Sequence, residues 1–211
     1  WLTADEFVYL STQSGVNQIW KKTLATGKEE QLTFFEERVW SIHVSGENIF
    51  FTMDLGGNEQ EQIYKLPKGG EAKNLTRNNA ARHQFGGVKP DEKTVVFACN
   101  ARDPHSFDLC ELDSESGQQR ILLQNTDSYN TPAALSPNGK YLLYNKLKAQ
   151  SDNCLWMLDT EEGTAQNIDP QADFAQYTNP TWKKDSSGFY FLTDKDSEYK
   201  YLAYYDVADA K

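Results

Sequence analysis

A repeat of about 46 residues runs the length of this chain and leaves few folds open to it. Short runs of aromatic and β-branched residues begin at residues 7, 49, 95, 141 and 189, so successive starts lie 42, 46, 46 and 48 apart. They read Phe7-Val8-Tyr9-Leu10, Ile49-Phe50-Phe51-Thr52, Val95-Val96-Phe97-Ala98, Tyr141-Leu142-Leu143-Tyr144 and Phe189-Tyr190-Phe191-Leu192. Runs of this length and content, bounded by turn formers, are buried strands rather than helices. A second run follows each: Ile19-Trp20, Ile63-Tyr64, Leu109-Cys110, Leu155-Trp156 and Leu202-Ala203. Beyond it comes a glycine and, five residues later, an apolar residue: Gly27 and Leu32, Gly70 and Leu75, Gly117 and Leu122, Gly163 and Ile168. Glycine suits a tight antiparallel turn because such turns often need positive φ.

Before the first run of later units lies a polar hairpin, at 44–48, 89–93, 136–140 and 183–188. Proline presets the turn, and Asn or Asp with Gly supplies the reversal. Each hairpin is preceded by one more short strand: 39–42, 85–88, 132–135 and 180–182. Small residues in the second and third of these suit an inner strand crowded near an axis. Four short strands per unit at this period predict an all-β fold, a β-propeller of four-stranded antiparallel blades. The units are 1–34, 35–77, 78–125, 126–169 and 170–211, in a single propeller domain over 1–211. The first lacks most of its inner strand and the last stops after its third, giving about four and a half blades. Either the chain is an arc of a larger propeller, or its two partial ends meet in a five-bladed closure. An open arc would bare two strand edges, and bare edges invite self-association.

The net charge of −10 argues against a nucleic-acid partner, which needs clustered Lys and Arg. No apolar run approaches a membrane span, so no membrane partner is expected. Cys99, Cys110 and Cys154 form no CxxC pair, and an odd count fits a disulfide framework poorly. A cytoplasmic location follows more easily than a periplasmic one.

Enzyme motifs are missing. No two glycines lie four residues apart, which removes the GxSxG nucleophile elbow, and none lie two apart, which removes GxGxxG. His43, His83 and His105 have no zinc-binding spacing, so no metal or cofactor is expected. Glu36 and Glu37, in the connection into the second unit's inner strand, could hold a substrate's ammonium group. Arg82 and His83 enter the third unit at a comparable place and could meet a substrate carbonyl or carboxylate. For both pairs the plainer reading is a solvated or structural one. Asp194, Asp196 and Glu198 lack the EF-hand spacing and read as a hydrated loop. Asn74-Leu75-Thr76 matches a glycosylation sequon, but Leu75 fills the buried apolar slot of the repeat. Trp20, Trp156 and Trp182 read as packing between blades.

The segments 17–33, 61–76 and 136–146 (NQIWKKTLATGKEEQLT, EQIYKLPKGGEAKNLT and SPNGKYLLYNK) resemble propeller repeats shared by TolB-type proteins and the prolyl oligopeptidase family. Residues 81–123 and 177–207 are more similar to the peptidase branch, in its acylaminoacyl-peptidase-like and dipeptidyl-peptidase-like members. The resemblance implies a propeller that caps a C-terminal α/β-hydrolase domain of the same parent and restricts entry to short peptides. No triad residue can be placed in this chain, so it is expected to be non-catalytic alone. Some dipeptidyl-peptidase relatives use paired glutamates on the substrate's amino terminus; Glu36-Glu37 is the comparable pair, in a different sequence context. The other reading is a standalone TolB-like protein-binding propeller.

Overall fold

A computed structural model of the chain describes residues 1–126, 129–149, 152–170 and 174–210. Residues 171–173 and 211 of the fifth unit therefore lie outside the described residues. By compactness the chain divides into two units, 1–83 and 84–211. In the first, β1 (Glu6–Ser11), β2 (Gln18–Thr23) and β3 (Glu29–Gln31) form one sheet. A second sheet holds β4 (Val39–Ser45), β5 (Asn48–Met53), β6 (Gln62–Pro67) and β7 (Lys73–Asn74). From the unit boundary onward, β8 (His83–Val88), β9 (Thr94–Asp103), β10 (Ser106–Asp113) and β11 (Gln119–Leu123) form the third. The fourth comprises β12 (Asn130–Leu135), β13 (Tyr141–Ala149), β14 (Asp152–Asp159) and β15 (Ala165–Asn167). The fifth comprises β16 (Tyr177–Trp182), β17 (Gly188–Thr193) and β18 (Tyr201–Asp206). All are antiparallel meanders, and among the described residues the first and fifth hold three strands each, as the repeat predicts.

One register recurs in every sheet. Tyr9 faces Trp20, Phe51 faces Tyr64, Phe97 faces Cys110, Tyr144 faces Trp156 and Phe191 faces Ala203. Because side chains alternate between faces, this shared register gives each sheet two apolar faces for stacking against neighbours. Ile19, Ile49, Phe51 and Met53 pack the first sheet onto the second. Val96, Ala98 and Leu109 meet Leu142, Tyr144 and Leu158 between the third and fourth. Leu143, Leu155 and Met157 meet Phe189, Phe191 and Tyr205 between the fourth and fifth. Each such side chain, fully buried, contributes about 1.5–3 kcal/mol. Trp156 and Trp182 pack at these two junctions. Trp20 does not: paired with Tyr9, it lies on the face of its sheet opposite Ile19 and Leu10, which meet the second sheet.

The turns correct the sequence in detail. Gly27, Gly117 and Gly163 take φ of 68°, 75° and 68°, but in the second unit the positive φ falls on Gly69, not Gly70. Gly70 is needed for space: a Cβ there would lie 2.7 Å from Pro67 Cγ. In the hairpins at 89–93 and 183–188 the left-handed residues are Glu92 and Ser186, so neither reversal uses a glycine. Leu75 is half-buried rather than buried, and Asn74 Oδ1 accepts from the N–H groups of Thr76 at 3.1 Å and Arg77 at 2.9 Å.

In the first four units, a polar residue near the start of the third strand ties down the connection to the next unit. Gln18 Nε2 donates to the carbonyls of Phe35 at 3.1 Å and Glu37 at 2.9 Å, while Phe35 N–H donates back to Gln18 Oε1 at 3.0 Å. Gln62 does the same for Asn78 and Ala81. Asp108 accepts from Asn125 N–H and from Arg102, and Asn153 exchanges two bonds with the backbone of Tyr177. Gln18 and Gln62 are buried, so each satisfies its amide entirely inside the fold.

Candidate functional site

In the second sheet, the connection into β4, the β5–β6 loop and the connection after β7 all emerge at one end. Gln18 fixes the first of these at Phe35 and Glu37. The Glu36-Glu37 pair is thereby held at the rim, with Glu36 exposed and Glu37 half-buried. Both line an open cavity of about 390 Å³ with Arg38, Trp40, Asp54, Glu59 and the Gly56-Gly57 turn. Gly56 N–H donates to Glu37 Oε1 at 3.4 Å.

The wall of this cavity is built on Asp54, which is buried. Its carboxylate accepts from Trp40 Nε1 at 2.9 Å and from Glu59 N–H at 2.9 Å. The indole N–H, joined by the backbone donors and the charge of Arg38, holds the Asp54 carboxyl below the usual aspartate range against the opposing effect of burial. Arg38 sits over the indole, with Cζ 3.4 Å from the ring centroid. The cavity thus collects four carboxylates against one guanidinium, with an aromatic wall. Its electrostatics favour a cation carrying hydrogen-bond donors.

Arg82 and His83 do not line this cavity. Arg82 donates to Glu61 Oε1 through Nε at 3.2 Å and Nη2 at 2.7 Å. His83 is buried; its N–H donates to the Glu61 carbonyl at 2.8 Å and Nδ1 shares that oxygen at 3.2 Å. Burial lowers the His83 pKa, against the backbone hydrogen bonds to Glu61 and Ala81 that raise it. The structure therefore groups the four predicted residues as two pairs, one in the cavity and one gathered on Glu61.

Arg38, Trp40, Asp54 and Glu59 escaped the sequence reading. The signal available was Asp54-Leu55-Gly56-Gly57 directly after a strand, where two glycines of positive φ fold a tight loop back on its own carboxylate. Elsewhere, Asp194 Oδ1 accepts from Gln176 N–H at 2.7 Å. Among the described residues no group of three or more His, Cys, Asp or Glu is placed to hold a metal ion. The three cysteines are free and buried. Burial pushes the Cys110 thiol up to about 12, with smaller contributions from Cys99 and Asp108.

Sheets of this order and register define the β-propeller fold, and comparison with solved structures agrees. TolB from Acinetobacter baumannii matches 98% of this chain at a TM-score of 0.68 and 18% identity, over 50% of its own length. A structure from a study of two prolyl endopeptidases matches 97% at a TM-score of 0.75 and 18% identity, over 33% of its length. An oligogalacturonate lyase from Vibrio parahaemolyticus matches 98% at a TM-score of 0.75 and 13% identity, over 60% of its length. The fold is a TolB-like β-propeller, present here as about four and a half blades, of the type also found in the prolyl oligopeptidase family. The chain spans between a third and about three fifths of these relatives. No protein-family model matches it, and no curated protein matches it in sequence.

Proposed function

We propose that the chain is the non-catalytic propeller of a cytoplasmic serine peptidase of the prolyl oligopeptidase family. There it gates the access of short peptides to a C-terminal α/β-hydrolase domain of the same parent. The observation that carries this reading is one of extents: nearly the whole chain, 97%, matches only 33% of the prolyl endopeptidase structure. A ring of rigid blades excludes folded proteins by size alone, so gating needs no special residue. Within it, Glu36 and Glu37 take the substrate's free ammonium group in the acidic cavity. Arg82, held by the Glu61 carboxylate, offers its guanidinium to a substrate carboxylate or carbonyl, and His83, buried on the Glu61 backbone carbonyl, fixes the start of β8.

The test uses the full-length native protein beside the 211-residue chain. The full-length protein is expected to react with a fluorophosphonate probe and to cleave short peptides but no folded protein; the shorter chain does neither. Replacing Glu36 and Glu37 by Gln is expected to raise KM for free-amine peptides roughly tenfold, the worth of about 1.4 kcal/mol of charge-assisted bonding, and to leave N-acetylated peptides unchanged. Absence of probe labelling in the full-length protein overturns the peptidase reading. The likeness to TolB supports a second reading, a protein-binding propeller in a periplasm. Capture of a folded protein partner by an unlabelled full-length protein is its signature.

A further inference from the structure

The junction between the third and fourth sheets holds two side-chain amides that the protein's own groups do not satisfy. Asn130, at the start of β12, is 0% exposed, yet neither its Oδ1 nor its Nδ2 has a hydrogen-bonding partner among the described residues. Gln84 Oε1, in β8, is likewise buried and unpartnered among them. Buried side-chain amides are almost always bonded, because an unmet group keeps the whole cost of leaving water.

The strands bring these two residues to the same place. Gly86 of β8 faces β12 so closely that a Cβ on it would lie 3.1 Å from Pro132 Cβ. Side chains alternate along a strand, and Gln84 and Asn130 each stand two residues before that contact. Both therefore point into the junction, one step nearer the ends at which β8 and β12 begin. Asn130 brings a donor and Gln84 an acceptor, enough for a direct bond, and they do not make one. The next junction shows what a direct link looks like: Trp182 Nε1 of the fifth sheet donates to the Ala134 carbonyl of the fourth at 3.1 Å.

We propose that a buried water joins the third sheet to the fourth at this point, accepting from Asn130 Nδ2 and donating to Gln84 Oε1. The unmet groups fix the chemistry of what binds. Two amide oxygens and one amide nitrogen carry no net charge, so the occupant is neutral and both gives and takes hydrogen bonds. The N–H group turns a cation away, and the oxygens turn an anion away. Lys146, opposite Asn130 in the register and with its ammonium 4.7 Å from the Trp156 ring centroid, adds a positive charge against a cation. Full enclosure of Asn130 keeps the occupant small. A water held by buried polar groups in this way is part of the fold, and it bonds nearly as well as a direct contact would.

A crystal structure of the 211-residue chain, at a resolution that shows ordered water, is the direct test. One peak is expected within hydrogen-bonding distance of both Asn130 Nδ2 and Gln84 Oε1. In solution, magnetic relaxation dispersion of the water oxygen counts the waters that exchange slowly. Asn130→Leu and Gln84→Met should each lose one such water, and the double variant should lose the same one and no more. Circular dichroism and thermal melting verify that each variant is folded; should Asn130→Leu unfold, Gln84→Met and the crystal structure of the unsubstituted chain decide. A direct bond between the two amides in the crystal overturns the proposal. So does a junction without density, or a peak contacted by oxygens alone, which would be a cation. A slow-water count that neither substitution changes overturns it as well.

Discussion

One histidine ties this fold to pH. Burial lowers the pKa of His83, which is enclosed on the Glu61 carbonyl. Above the ordinary histidine value of about 6.5, folded and unfolded chains alike hold this ring neutral. As pH falls through that value the unfolded chain gains a proton that the folded chain refuses, so stability declines until the lower folded value is reached. The urea midpoint is therefore expected to drop between about pH 7 and 5.5, and His83→Gln should flatten part of that drop. An unchanged slope in the variant would refute the assignment to His83. Asp54 acts in a different window. Its carboxyl is held below the usual range by Trp40, so its contribution is complete above about pH 3.9 and fades only as pH falls through the folded value.

At the scale of elements, close approach between strands decides what the sequence can contain. In β8, a Cβ on Gly86 would lie 2.9 Å from the Val96 carbonyl and 3.1 Å from Pro132 Cβ of the next sheet. Gly87, at φ of 153°, would put a Cβ 2.8 Å from Leu135 Cβ. Gly86→Ala should therefore cost about 1–3 kcal/mol, as overpacking does. It would be read as a lower urea midpoint at constant m-value; an unchanged midpoint would mean that the sheets part freely. The small residues of β8 and β12 announced this crowding in the sequence, as the aromatic runs announced β5, β9 and β13. Those features were legible because strand pattern and turn chemistry are local. Trp20 was misplaced because a repeat position does not reveal which face lacks a neighbour. The partners of the site were hidden for a related reason. Trp40 meets Asp54 across 14 residues and Arg82 meets Glu61 across 21, contacts made only when loops from different strands gather at one end of a sheet.

For the whole molecule, the net charge of −10 works against compactness, because like charges crowd on folding and part again in the open chain. Screening should therefore stabilise the fold. Raising ionic strength from roughly 0.01 M, where the Debye length is about 30 Å, to roughly 0.1 M, where it is about 10 Å, is expected to raise the urea midpoint. Further salt should change it little, because most of the long-range repulsion is by then screened. A midpoint that falls over the same range would mean instead that attraction between opposite charges, such as Lys89 with Glu111 and Arg102 with Asp108, outweighs the repulsion.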